Sequence, residues 1–172
     1  MAVHKFRAPP SKMNYVQFLE KFEGIYEHSP WVAERAWAAG ITDEHDEIDA
    51  LADLMARIVA EADETEKRRL IDAHPDLAGK AAVTGELTVA STSEQAGAGL
   101  DKCSPEEFAA FQKYNAAYRK KFGFPFIKAV KNSNRYEILK GFEERLENSA
   151  EEEFETALAE IDKIARFRLA EM

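Results

Sequence analysis

Across this 172-residue chain the apolar residues recur at spacings of three and four, a period that commits nearly every ordered stretch to the α-helix. Tyr15, Phe18, Leu19, Phe22, Ile25 and Tyr26 share one stripe of a helix that should stop near Glu27. Ser29 before Pro30 predicts an N-cap followed by proline at the first helical position, opening a short helix over residues 31–37 that Gly40 closes. Asp43, Glu44, Asp46 and Glu47 load the next helix start with negative charge, where the dipole favours it, and Ile48, Leu51, Met55, Ile58 and Val59 form its buried face. His45 in that cluster has no repeated ligand spacing around it, so it reads as part of a solvated first turn rather than a metal ligand. A charged helix over residues 65–73 then turns Leu70 and Ile71 inward.

Between Gly79 and Ala90 the period is lost. Gly79, Thr84-Gly85 and the short Leu87-Thr88-Val89 run predict a loop that crosses the surface and returns. Ser91 and Glu94 fit a capping box, so a helix should begin there and end in the Gly97 to Gly99 region. Ser104-Pro105 restarts the helix, and Phe108, Phe111, Tyr114 and Tyr118 carry it to Lys121, where Gly123 and Pro125 break it. Asn134 should cap a helix through Leu146, and a last helix fills residues 150–169. The single strand-like run is too short to pair into a sheet by itself. The expected architecture is all-α, a single-domain bundle of about seven to eight helices over residues 14–172 behind a loose arm over residues 1–13.

Composition narrows the function. A net charge of -9 argues against the basic footprint of a nucleic-acid binder, and no apolar run reaches the roughly 20 residues a membrane span needs. Cys103, the only cysteine, rules out an internal disulfide and fits a reducing compartment. The ending Ala170-Glu171-Met172 is not a peroxisomal address, so the cytoplasm is the expected location.

Four places can carry chemistry, and at one of them, Glu94 with Gln95, helix capping alone is the favoured reading of Glu94. His74 sits between a helical pattern and Pro75, which pushes the residue before it out of the α region; an imidazole there either exchanges a proton near neutral pH or satisfies backbone groups at a helix end. In the last helix the stripe of Phe154, Leu158, Ile161, Ile164 and Ala165 steps on to Arg168, so Arg168 faces inward and requires a carboxylate from the protein or from a ligand, unless a frayed end lets it reach water. Arg166 falls four residues after Asp162, a routine surface pair. The broken aromatic run over residues 122–130 suits either a flat heterocycle or a turn that plugs the core.

Together these residues carry a resemblance. Residues 22–37 (FEGIYEHSPWVAERAW), 73–79 (AHPDLAG), 91–95 (STSEQ) with 98–100 (AGL), 122–127 (FGFPFI) and 166–169 (RFRL) are similar to the OHCU decarboxylase family, which acts on 2-oxo-4-hydroxy-4-carboxy-5-ureidoimidazoline to give (S)-allantoin. The resemblance implies an all-helical enzyme of urate degradation that needs no cofactor and no metal and is often a homodimer. It implies that His74 and Glu94 are catalytic. It also implies that Pro75, Ser91, Gln95, Phe126, Ile127, Lys128, Ala129, Val130 and Arg168 bind substrate. Two alternatives stay open on the sequence: a non-catalytic helical interaction module, and a lyase acting on a related cyclic ureide.

Overall fold

The computed structural model describes residues 2–79 and 86–172, and those residues hold eight α-helices, three short 3-10 turns and no strand. The expected loop over residues 79–90 lies partly outside them. Helices α1 (Tyr15–Phe22), α2 (Trp31–Ala39), α3 (Ile48–Glu61), α4 (Glu64–Asp72), α5 (Val89–Gly97), α6 (Pro105–Phe122), α7 (Arg135–Arg145) and α8 (Ala150–Ala170) follow the predicted order. The fold is all-α. Packing gathers the residues into two compact units, Met1–Ala73 with Asp162–Met172, and His74–Ile161.

In the first unit the core is built by Phe18, Phe22, Val32, Ala36, Leu51, Met55, Leu70 and Ile71. α1 is shorter than its stripe predicts: Asn14 and Gln17 form a capping box at its start, and it ends at Phe22, one residue before the Glu23-Gly24 turn. Glycine is a poor helix former, and leaving the helix here lets both Ile25 and Tyr26 bury without sharing one helical face. Ser29 does not cap α2; its hydroxyl donates back to the Glu27 carbonyl at 2.8 Å, and Pro30 itself occupies the cap position. The acidic run Asp43–Asp46 forms a 3-10 turn of its own ahead of α3, with His45 Nδ1 accepting the Thr42 N–H at 3.0 Å.

The N-terminal residues expected as a loose arm are tethered. Lys5 pairs antiparallel with Glu47, the Phe6 N–H donates to the Asp46 carbonyl at 3.0 Å and the Ile48 N–H to the His4 carbonyl at 2.9 Å. Ser11 gives both its N–H (2.9 Å) and its hydroxyl (2.7 Å) to the Asp46 carboxylate, and Phe6 is buried edge-on against Phe22, ring centres 5.4 Å apart. One apolar side chain and a cluster of hydrogen bonds to the α3 entry suffice to order a segment whose own sequence has no helical period.

The second unit is centred on aromatic rings from α6, α7 and the segment between them: Phe111, Tyr118, Phe122, Phe124, Phe126 and Phe142. Ser104 and Glu107 form the capping box that starts α6, and Gly123 ends it in the left-handed region at φ 79°. That positive φ is where a glycine is needed, because the chain must turn sharply to bring Phe124 and Phe126 back under Tyr118. Asn134 caps α7 by accepting from the N–H groups of Tyr136 and Glu137, both at 3.0 Å.

Candidate active site

α4 ends at Asp72, and His74 stands just beyond it, 6% exposed, followed by the irregular residues 75–79. A loop with no ladder of its own must find partners for its backbone groups elsewhere. Three side chains from α5 and α6 supply them, and a fourth holds the loop by its Asp76 carboxylate. Gln95 accepts the Ala78 N–H at 3.0 Å through Oε1 and reaches the Asp76 carbonyl at 3.4 Å through Nε2. Gln112 donates to the Ala78 carbonyl at 2.9 Å and Asn115 to the Leu77 carbonyl at 3.0 Å, while Arg119 grips the Asp76 carboxylate at 2.9 and 3.0 Å. Residues 112, 115 and 119 are three and four apart, so one face of α6 presents all three to the loop.

The loop is tight as well as clamped. Ala78 lies at φ 50°, a conformation that costs a non-glycine residue, and a Cβ placed on Gly79 would stand 2.7 Å from the Asp76 Cβ. Gly79→Ala should therefore destabilise the chain by about 1–3 kcal/mol, the usual range for a forced overlap. Thermal unfolding measures it, and an unchanged melting temperature would show that the loop has room to give.

α5 does not begin where the Ser91 to Glu94 capping box predicts. Thr88 is the N-cap, its hydroxyl accepting the Ser91 N–H at 3.1 Å, and the Leu87-Thr88-Val89 run read as strand-like is the helix entry, with Val89 89% exposed. A threonine three residues earlier captured the same first turn, which moves Ser91 inside the helix. Ser91 and Gln95 then lie four apart on the buried face, with Glu94 partly exposed beside Gln95. A cavity of about 490 Å³ in this unit is lined by Ala78, Gln95, Ala96, Leu100, Cys103 and Phe108 among others; of the predicted site residues, it includes Gln95. Burial pushes the Cys103 thiol up, and nearby Glu107 adds to the shift, so this cysteine is a poor nucleophile.

The residues 126–130 are held by the helices that follow. Phe126 stacks on Phe142 with ring centres 3.8 Å apart, the Ile127 carbonyl accepts from Arg145 Nη1 at 2.6 Å, and the Ala129 N–H donates to Glu160 at 3.3 Å. Phe126, Ile127 and Val130 are buried, and Lys128 and Ala129 are half-buried.

Arg168 belongs to the first unit, where its side chain is 9% exposed. The carboxylate it was expected to need is the protein's own: Nη2 donates to Glu27 at 2.9 Å, and Nη1 to the Ile25 carbonyl at 3.2 Å. Glu27 is 1% exposed at its side chain. Arg166 does not form the predicted pair with Asp162. It bridges Asp49 (3.1 Å) and Asp53 (2.7 Å) of α3, leaving Asp162 to accept the Tyr26 hydroxyl at 2.8 Å, and burial raises both of that pair's pKa values.

The structure thus joins His74 and Pro75 to Gln95 through the clamped loop, places Ser91 on the same face as Gln95, builds residues 126–130 on α7 and α8, and sets Arg168 against Glu27. Sequence reasoning missed Glu27, Gln112, Asn115, Arg119, Arg145, Glu153 and Glu160. Two of these left a trace: the buried line of α8 runs Glu153, Ala157, Ile161, Ala165, Leu169 at steps of four, and Glu160 borders it, so both carboxylates sit on an apolar face.

A sequence model of the OHCU decarboxylase family matches residues 11–170. The 2-oxo-4-hydroxy-4-carboxy-5-ureidoimidazoline decarboxylase of Haloferax volcanii is 44% identical over 154 residues, covering 90% of this chain and 88% of that protein. A crystal structure of (S)-allantoin synthase is similar at a TM-score of 0.70 and 31% identity over 91% of this chain, which spans 50% of that one. The crystal structure of OHCU decarboxylase in the presence of (S)-allantoin shares the fold at a TM-score of 0.70 and 24% identity, covering 87% of this chain and 94% of its own. A match that runs through the His74 loop, α5, the 126–130 segment and the end of α8 leaves a plain conclusion: the chain belongs to the OHCU decarboxylase family.

Proposed function

We propose that this protein is a carboxy-lyase that converts 2-oxo-4-hydroxy-4-carboxy-5-ureidoimidazoline to (S)-allantoin and carbon dioxide in urate degradation, with its own side chains supplying all the catalytic groups. The family match over residues 11–170 carries the reading. The chemistry suits these residue types. The substrate bears its carboxylate on a ring carbon that also carries a hydroxyl, next to a C=N bond. When the bond to carbon dioxide breaks, the electron pair moves toward the C=N nitrogen, which takes up a proton, so the substrate is its own electron sink. The enol that remains gains a proton on the neighbouring carbon and loses one from the hydroxyl; one proton is consumed overall.

His74 delivers the proton to carbon from one face, and Glu94 holds the hydroxyl and receives its proton. The clamped loop supports the His74 role, because a general acid acts in proportion to how well it is held. Pro75, Ser91, Gln95 and the residues Phe126, Ile127, Lys128, Ala129 and Val130 contact the ureido and ring groups, and Arg168 pairs with a ligand anion or carbonyl. The reading extends to a homodimer in the cytoplasm, supported by the family's habit of pairing and by a single cysteine suited to a reducing compartment; sedimentation velocity reads the assembly. Among the described residues no helix is long and apolar enough to cross a membrane.

Freshly generated substrate is the test. Carbon dioxide release and optical rotation followed together should show fast decarboxylation to a single enantiomer. Racemic product at the uncatalysed rate would refute the assignment, and turnover of only a related cyclic ureide would redirect it.

A further inference from the structure

The 126–130 segment has neither helix nor strand to hold it, yet three of its five residues are buried. One guanidinium organises it. Arg145, in the last turn of α7, donates from Nη1 to the Ile127 carbonyl at 2.6 Å, from Nε to Glu153 at 2.7 Å and from Nη2 to the Tyr118 hydroxyl at 3.4 Å. The same guanidinium lies 4.2 Å from the centre of the Phe126 ring. The Glu153 side chain is 0% exposed and collects two further donors, the Tyr118 hydroxyl at 2.6 Å and Asn148 Nδ2 at 3.0 Å.

A buried ion pair is a poor way to gain stability, since apolar residues of the same volume often do as well. What apolar residues lack is direction. A guanidinium is a planar fork with fixed donor vectors and a face that stacks on aromatic rings, so it ties one carbonyl, one ring and one carboxylate into a single geometry. The carbonyl and the ring it ties both belong to the segment proposed to touch substrate.

We infer that Arg145, oriented by Glu153, is a positioning residue that sets the backbone of the 126–130 segment and thereby the affinity for the substrate's ureido and ring groups. The inference rests on the reading above that this segment contacts substrate. R145K keeps a positive charge but replaces the fork by a point donor that cannot serve Ile127, Glu153 and Tyr118 together. On fresh substrate its KM should rise about tenfold, the loss expected for roughly one well-placed hydrogen bond, with a much smaller change in kcat. Y118F keeps the ring and removes one donor from Glu153; it should move KM the same way by a smaller factor, and it decides the matter if R145K fails to fold.

Amide NMR separates the inference from the reading beneath it. Adding (S)-allantoin to the wild-type chain should shift the N–H signals of Lys128, Ala129 and Val130, and the same ligand concentration should shift them less in R145K. Wild-type signals that do not move would show that the segment does not meet the ligand, overturning the reading and the inference together. Wild-type shifts that persist unchanged in both variants, with KM also unchanged, would overturn the inference alone, as would a lowered melting temperature with unaltered KM.

Discussion

His74→Ala should lower turnover of freshly generated substrate by about 10² to 10⁴, the range a positioned general acid contributes. The loss should appear in kcat, because the side chains that hold residues 76–78 stay in place. Gln95, Gln112, Asn115 and Arg119 hold the backbone and side chains of residues 76–78, and none of those bonds uses the imidazole. The variant should therefore stay folded, with the bonds from α5 and α6 to the loop intact, while losing rate. It should also lose stereochemical control: with no acid fixed on one face, solvent protonates the enol from either side and the optical rotation of the product falls. Turnover and optical purity equal to the wild type would remove His74 from the mechanism. A collapse of the melting temperature would instead make it a structural histidine at a helix end.

The helices were legible in the sequence because three-and-four spacing, Ser104 with Glu107, Asn134 and Gly123 each act locally, and local chemistry is what a sequence displays. Caps failed where two candidates competed for one turn. Ser91 with Glu94 fits a capping box, but the Thr88 hydroxyl caps the helix three residues earlier and wins. The direction of Arg168 was readable from the stripe of α8, whereas its partner was not, since Glu27 lies 141 positions away in a turn with no period. Arg166 shows the converse error. An i, i+4 carboxylate was available in Asp162, yet a two-carboxylate site on α3 outcompeted it once Asp162 was committed to Tyr26. For the site, residue types were visible and their supports were not. Arg145 reads as an ordinary cation at a helix C-terminus, and only folding reveals that it spends its donors on Ile127 and Glu153.

Breaking the Glu27–Arg168 pair from one side should cost about 3–5 kcal/mol, because either change removes the opposite charge from a buried ion pair and leaves the other behind. With side-chain exposures of 9% for Arg168 and 1% for Glu27, water cannot make up the difference. Glu27→Leu and Arg168→Met should each shift the urea unfolding midpoint by a corresponding amount, and the double variant should lose far less than the two losses added together. Additive losses would mean that the two groups do not depend on each other and that the 2.9 Å contact contributes nothing special. The double variant also separates the two roles open to Arg168. If the arginine serves only the fold, restoring a neutral, packed pair restores both stability and KM. If it also recognises the substrate, stability returns while KM stays high, because methionine and leucine fill the space but offer a ligand anion no donor. A raised KM in a chain that unfolds normally is thus the signature of a binding arginine, and a normal KM in that chain would assign Arg168 to the core.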